Sequence, residues 1–577
     1  MKGIKAFGLA LVYSSFAPFT LALEYSFTQN VTAQGMNGAV SCENSICSQA
    51  GASMLRRGGN AADAIVATVL CVGVTGLYNS GISGGGFALV RLPNNTYEMV
   101  DFREKAPGYA SETMFVNDKN ASQVGGKASG VPGQLRGLEY IRKRYGKLDW
   151  KTLIAPAIEV ADTGFLFGHD MEWMVNWTLK NAPLLNSSQP NLFTQDPAWK
   201  PDFAPNGTLL KRGDIMTRKR YAGALRNISD NGAEDFYTGS TARTMLRAIR
   251  HYGGNMTERD LMNYTVVQRE PKQVQYRNYT LTSTVAPSSG TVLLNILGVL
   301  DNYDDFFTNT STTNRSTHRM VEAIKFGYAY RNSFGDPGFV PNVTNLETTM
   351  LSQARIQRIY RNIDDNSVHG NVSFYDPDHK WTPESFGTSH MVTSDKDGLV
   401  FSLTTTTNLP FGSHVMVPET GIVLNSQMDD FSTPNTTNGF GYPPTPNNFI
   451  KPGKRPLSSI SPIIAVRDDG SFAFATGAAG GSHIPTTTLQ TLIHALDENL
   501  SPSDALARPR LHDQLFPNYV EIPDTYNNAT VDYLVSLGHE IKRVDEWSYA
   551  QAISQSPQGL FVAAAEPRQL ESGAFAV

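Results

Sequence analysis

The chain has 577 residues, 40% of them hydrophobic, which is enough for a large core and longer than one domain usually is. A net charge of −5, with no basic block and no interleaving of aromatic and basic residues, excludes nucleic acid as a partner. Three cysteines exclude a disulfide-rich scaffold, and no Cys/His spacing points to a metal or cofactor site, so none is expected.

Lys2 and Lys5 precede an apolar run, Ala6 to Leu23, interrupted by Pro18. This reads as a secretory signal peptide over residues 1–22, with a small-residue cleavage site near Ala22. An uncleaved signal anchor is the alternative, since a spanning helix needs about 18 apolar residues. Asn-x-Ser/Thr sequons recur from Asn30 to Asn528, which together with the leader suggests a glycoprotein of the secretory pathway. The expected destination is extracellular, with a vacuolar or membrane-anchored one as the alternative. Cys42, Cys47 and Cys71 are an odd number, so in an oxidising compartment one bridge and one leftover thiol are expected.

Ser48 to Arg57 is predicted to be a helix ending at Gly58-Gly59, and Asn60 to cap a buried Ala/Val-rich helix over Ala61–Val72. Cys47 and Cys71 lie at opposite ends of this helical hairpin. Gly81-Ile82-Ser83-Gly84-Gly85 fits the nucleophile-elbow pattern, but a strand (Phe87–Leu92) follows it where that motif needs a helix, so it reads as a tight buried turn. A second strand, Tyr97–Phe102, leads into Asp101-Phe102-Arg103-Glu104-Lys105; Arg103 at a strand end is either a carboxylate clamp or a surface arginine. Helices are expected at Leu135–Tyr145, Thr241–Tyr252 and Met320–Arg331, and a long surface loop or insertion over Leu184–Pro205.

The stretch from Phe386 to Asn408 is predicted to be a β-hairpin turning at Lys396-Asp397-Gly398, where Gly398 permits the left-handed residue that three-residue loops use. With that turn Asp395 faces Leu399, Thr388 faces Thr406, and Asn408 lies diagonally on the same side, so two hydroxyls and a carboxamide converge at one strand end. Asp395-x-Asp397-Gly398 faintly resembles a calcium loop but lacks the later ligands, and reads as a turn. Further on come a short strand at Gly421–Leu424, the segments Gln427-Met428-Asp429-Asp430 and Pro456-Leu457-Ser458-Ser459, and a second hairpin, Ile463–Val466 with Phe472–Thr476. The latter opens into Gly477-Ala478-Ala479-Gly480-Gly481 ahead of a helix at about Thr487–Leu496. A glycine pair between strand and helix is either an oxyanion-binding turn or a plain one. Interspersed strands and helices make the class α/β or α+β with central sheets.

These segments resemble, in order and over nearly the whole chain from about residue 32, the γ-glutamyltranspeptidase family of N-terminal-nucleophile hydrolases. The segments that carry the likeness are Asp101 to Pro107, Gly387-Thr388-Ser389-His390, Gln427 to Ser432, Lys454 to Ser459 and Gly480-Gly481. The resemblance implies a four-layer αββα sandwich, made as an inactive precursor and cut by itself between Gly387 and Thr388. Large (23–387) and small (388–577) subunits would then remain as a heterodimer within that one unit. It implies Thr388 as nucleophile, its freed α-amine as base, and Thr406 as the residue orienting it. Arg103, Ser458 and Ser459 would hold the α-carboxylate of a γ-glutamyl group, Asn408, Gln427 and Asp430 its ammonium, and the N–H groups of Gly480 and Gly481 the oxyanion. Glutathione and other γ-glutamyl compounds are the implied donors, and water, amino acids or dipeptides the acceptors. Two positions vary within the family: Gln427 stands where some relatives carry Glu, and Phe440 falls at a lid position that is Tyr in some bacterial members. The resemblance also implies a Cys47–Cys71 disulfide, with Cys42 unpaired. The alternatives are a related acylase acting on another acyl amide, and a non-catalytic secreted glycoprotein of the same fold.

Overall fold

The structure, a computed structural model, describes residues 31–181, 191–376, 380, 387–436, 443–545 and 548–577. The apolar leader (residues 1–22) and Phe440 lie outside the described residues. Among those described, no helix is long and apolar enough to cross a membrane.

Two seven-stranded sheets form the centre. The first runs from edge to edge as Gly573–Ala576, Gly38–Cys42, Ser389–Asp395, Val400–Thr406, Gly85–Arg91, Tyr97–Asp101 and Val267–Arg269. The second runs Thr32–Gly35, Phe561–Ala564, Tyr549–Gln555, Phe472–Ala479, Ile463–Arg467, Tyr279–Ser283 and Lys272–Tyr276. Every pairing within them is antiparallel. The sheets pack face to face through Val392, Val400, Ile464, Ala475 and Ile553. The helices Ser45–Arg56 and Ala61–Thr75 cover the outer face of the first sheet, and Gly290–Leu300 and Ile484–Leu496 that of the second. This is the four-layer αββα sandwich. Both sheets combine strands from before and after residue 388.

Local sequence explains the elements that position the centre of the first sheet. Ala61–Thr75 is apolar all round and buried along its whole length, as a helix clamped between a sheet and other helices must be. Asn60 and Asp63 close its first turn as a reciprocal capping box. The preceding helix begins at Ser45, three residues earlier than its composition suggests, because the Asn44 side chain accepts the Ile46 N–H. The Cys47–Cys71 disulfide ties the two helices together with a Cα separation of 5.2 Å. Cys42 is a buried thiol pushed up to about 12 by desolvation.

The hairpin turns at Lys396–Gly398, and its register pairs Ser389 with Thr405 and Met391 with Leu403. Asp395 is consumed by this turn: its carboxylate accepts the N–H groups of Asp397 and Leu399, and that of Ala61 at the start of the buried helix. Three of the roughly four lone-pair sites of the carboxylate are taken by the backbone, so it serves the turn and the helix start rather than the calcium that the motif faintly suggests. Ser83 lies in a turn leading into Gly85–Arg91, and its hydroxyl donates to the Val423 carbonyl.

Two expectations need correction. Gly421–Leu424 forms only one isolated bridge, Met416 with Val423, rather than a strand. The described part of Leu184–Pro205 is no surface loop. Residues Leu192–Gln195 and Lys200–Phe203 are helical, and Phe193, Trp199 and Phe203 bury their rings against Phe411. The polar Asn/Ser/Pro content of the segment conceals these three aromatic anchors.

At the sheet interface His390 lies directly over Gly477, where a Cβ would come within 2.4 Å of the imidazole ring. Burial depresses His390 to about 3, so it packs as a neutral ring, with Nδ1 bonded to Thr404 Oγ1 at 2.8 Å. Gly477→Ala should therefore force the sheets apart and cost about 1–3 kcal/mol of stability, the usual range for overpacking a tight core, read as a lowered thermal midpoint.

Candidate active site

Thr388 precedes the strand Ser389–Asp395, and the register that pairs Ser389 with Thr405 sets it opposite Thr406. Both are buried. The Thr406 hydroxyl donates to the Gly387 carbonyl at 2.6 Å and accepts the Asn408 N–H at 2.7 Å. The carbonyl so engaged belongs to the Gly387–Thr388 peptide bond. Gly387 has φ +79°, and a Cβ there would meet the Asn408 carbonyl at 2.2 Å, so no other residue fits. Asn408 is itself left-handed (φ +75°), which swings its N–H back to Thr406 while its side-chain Nδ2 donates to the Ser426 carbonyl at 2.9 Å.

Gly480 sits between the strand Phe472–Ala479 and the short 3₁₀ turn Gly481–His483, from which the helix Ile484–Leu496 starts. Among the described residues, the N–H groups of Gly480 and Gly481 have no backbone acceptor. Gly387, Thr388 and Gly480 open onto one cavity of about 390 Å³, walled by Trp173, Trp177, His483, Glu521 and Tyr549 among others.

The other expected residues form a second, adjoining group that does not line this cavity. The buried guanidinium of Arg103 pairs with Asp430, donates to the Leu457 carbonyl at 3.2 Å, and lies 3.7 Å from Glu104. Asp430 in turn accepts from Gln427 Nε2 at 2.6 Å. Asn408 links the groups, because the Ser426 carbonyl it contacts immediately precedes Gln427. Ser459 Oγ accepts from Arg331 Nη2 at 2.8 Å, and Ser458 Oγ accepts the Ile460 N–H. Arg331 is a second buried guanidinium that the sequence shows only as the end of a helix; nothing local marks it as part of a site.

The electrostatics of this second group are those of a buried charged cluster. Burial raises the Asp430 carboxyl, while Arg103 and Gln427 pull it back. Glu104 is pushed up to about 8 by desolvation, against the opposing pull of Arg103, and neither of its oxygens has a hydrogen-bond partner among the described residues. Asn408 Oδ1 and Gln427 Oε1 are likewise buried acceptors without a donor. An unmet buried acceptor costs about 1–3 kcal/mol, so a donor placed among them would be stabilised. Among the described residues there is no group of three or more His, Cys, Asp or Glu side chains able to hold a metal ion.

A family model described as gamma-glutamyltranspeptidase matches residues 47–576. The chain is 47% identical over 578 residues to the glutathione hydrolase proenzyme of Arthroderma benhamiae, covering 98% of this chain and 97% of that one. It is 45% identical to a glutathione hydrolase of Aspergillus flavus, covering 93% and 89%. Among solved structures, a cephalosporin acylase from Bacillus halodurans matches with a TM-score of 0.80 over 98% of this chain and 99% of that one; at 24% identity, this is a likeness of fold. The γ-glutamyltranspeptidase of Helicobacter pylori matches with a TM-score of 0.51 and 31% identity, covering 56% of this chain and 91% of that chain.

Glu104 offers a test of the buried cluster. In the unfolded chain it ionises near pH 4.3, whereas in the folded protein it does so near 8. The folded state therefore binds more protons across that interval, and its contribution to stability, full below the unfolded value, is lost as pH rises through 8. Glu104→Gln is expected to raise the thermal midpoint relative to the parent at pH 8 more than at pH 4, as measured by calorimetry at both.

Proposed function

This chain belongs to the γ-glutamyltranspeptidase family, and from that premise we infer that it is a γ-glutamyltransferase with glutathione hydrolase activity, activated by cleavage of its own Gly387–Thr388 bond. The observation that carries this reading is the Thr406 hydroxyl donating to the Gly387 carbonyl. A hydrogen bond to that oxygen polarises the peptide bond preceding Thr388 and stabilises the negative charge that grows there when the Thr388 hydroxyl attacks. An N-to-O acyl shift followed by hydrolysis of the ester leaves Thr388 with a free α-amine, whose ordinary pKa near 8 suits a base at neutral pH. Loss of the Gly387 carbonyl frees Thr406 to orient the Thr388 hydroxyl. The large and small pieces would stay together because strands of one pair with strands of the other in both sheets. The proenzyme name of the Arthroderma relative supports such a route.

The second group of residues supports a zwitterionic headgroup as substrate. Arg103, with Ser458 and Ser459, would receive the α-carboxylate of a γ-glutamyl donor such as glutathione. Asp430, Asn408 Oδ1 and Gln427 Oε1 would accept from its α-ammonium, and the last two are the acceptors that lack a donor. Gln427 in place of an acid leaves Asp430 as the formal charge that faces the ammonium. The γ-carbonyl would then lie at Thr388, with the N–H groups of Gly480 and Gly481 aimed at its oxygen. Attack by Thr388 expels the first amine and leaves a γ-glutamyl ester, which water hydrolyses or an amino acid or dipeptide takes over. The acylase alternative has fold likeness behind it but no use for a buried acid facing Arg103. We also propose secretion as a glycoprotein, from the apolar leader and the exposure of sequon residues such as Asn94, Asn176, Asn206, Asn227 and Asn263.

Thr388→Ala is expected to give one uncut chain with no γ-glutamyl anilide turnover, whereas the parent should show two bands on a denaturing gel, the smaller beginning at Thr388 by N-terminal sequencing. Arg103→Lys should still be cut, yet lose about 10- to 100-fold in kcat/KM for γ-glutamyl donors, the equivalent of one hydrogen bond to a charged group at ~1.5–3 kcal/mol.

A further inference from the structure

The cavity beside Thr388 carries an imidazole–carboxylate pair that the chemistry above leaves unused. His483 closes the 3₁₀ turn after Gly480, and its N–H donates to the Gly480 carbonyl at 3.1 Å. Its Nε2 lies 3.2 Å from Glu521 Oε2. Glu521 is pinned in turn: its backbone exchanges hydrogen bonds with His512 at 2.7 and 2.9 Å, and Lys542 Nζ approaches its other oxygen at 3.2 Å. The His512 ring stacks on His483 at 3.9 Å and is itself satisfied, by Thr486 Oγ1 at Nδ1 and by Gln514 Oε1 at Nε2. Tyr519 contacts Lys542 through its hydroxyl at 3.0 Å.

These neighbours fix the protonation of the pair's surroundings. Burial opposes ionisation of Glu521, but the hydrogen bonds from His483 and Lys542 outweigh it and hold the carboxyl at about 2. His512 is driven well below the usual imidazole range by burial and by His483 beside it, and stays neutral. In the neutral ring, an Nε2–H facing the Glu521 carboxylate leaves the lone pair on Nδ1, which has no partner among the described residues. This is the arrangement in which a carboxylate sets the tautomer of a histidine base.

Proton counting gives such a base a task, provided the transferase reading above holds. Water attacking the γ-glutamyl ester loses one proton, which the Thr388 amine can take and pass to the departing Thr388 oxygen. An amino acid or peptide acceptor arrives as an ammonium and must lose two. We propose that His483, held by Glu521, is the base that takes the first of these from the incoming α-ammonium. The N–H bond breaks towards nitrogen, whose freed lone pair forms the new bond to the γ-carbonyl carbon, and the proton leaves on Nδ1 as an imidazolium paired with Glu521. The second proton goes through the Thr388 amine to Thr388 Oγ as the ester C–O bond breaks, and the imidazolium discharges to water.

The test compares the processed parent with His483→Gln, which can keep an N–H donor towards Glu521 but has no basic nitrogen, and with Glu521→Gln. The donor is a γ-glutamyl anilide and the acceptor glycylglycine. For His483→Gln the ratio of transfer to hydrolysis should fall at least about 10-fold at pH 7, the lower range of a general base being about 10²-fold. It should recover as pH is raised and the acceptor deprotonates unaided; Glu521→Gln should show a smaller fall of the same kind. An unchanged ratio at every pH, or equal loss of hydrolysis and transfer, would overturn the proposal and leave His483 as a prop for the turn. Absence of anilide release from the parent would instead refute the transferase reading.

Discussion

One hydroxyl, that of Thr406, ties the reactive centre together by accepting the Asn408 N–H and donating to the Gly387 carbonyl. Each bond alone is of ordinary strength, but one is buried and the other partly so, where an unmet partner costs more than a made bond contributes. That asymmetry fixes the donor direction, so the proton of Thr406 points at the carbonyl that precedes Thr388. The relay exists only in one register of the hairpin. A slip by one residue would turn every side chain of Ser389–Asp395 to the other face, sending His390 away from Gly477 and Asp395 away from the helix it caps. Two contacts outside the relay, Asp395 on the helix start at the turn and His390 over Gly477 near the open end, thus enforce the alignment on which the relay depends.

The same hairpin lies at the centre of the first sheet, flanked by Gly38–Cys42 on one side and Gly85–Arg91 on the other. Chain preceding Thr388 therefore grips chain following it along both long edges. A break at Gly387–Thr388 would release an end at the mouth of a cavity while disturbing none of the ladder bonds around it. Central placement reconciles two demands that conflict elsewhere: a new terminus must be free to act as a base, and the strand that carries it must not move.

How far this could be read from sequence follows the range of the interactions. The hairpin was legible because its turn is local chemistry, with Gly398 left-handed and Asp395 accepting from its own loop, and everything out to Thr388 and Thr406 follows by counting. The capped helix at Asn60 was legible for the same reason. The inward turn of Phe193, Trp199 and Phe203 was not, because their partner, Phe411, lies some two hundred residues on and the segment's polar composition points the other way. Arg331 and the His483–Glu521 pair were missed likewise: an arginine at a helix end and a histidine after a glycine turn look ordinary until tertiary contacts bring Ser459 to one and a distant strand to the other. The Arg103 and Asp430 segments could be matched to a family from their motifs, but not to each other, since nothing local couples residues 327 positions apart.

That coupling bears on how a substrate would enter. Arg103 and Asp430 already face each other as cation and anion, and the headgroup of a γ-glutamyl compound offers one of each sign on a single carbon. Insertion of the headgroup would replace one internal ion pair by two pairs of the same polarity, carboxylate on Arg103 and ammonium on Asp430, with no change in the net charge of the pocket. A buried pair exchanged in this way avoids most of the penalty of stranding a lone charge, which makes removal of one partner so destabilising in general. The ammonium would in addition supply donors to Asn408 Oδ1 and Gln427 Oε1, which the protein leaves unmet. An acyl group ending in a carboxylate alone could satisfy Arg103 only by displacing Asp430 and leaving it buried without a counter-charge. On this reasoning, preference for an α-amino acid headgroup rests less on new attraction than on the cost of the unpaired acid that any simpler acyl group would leave behind.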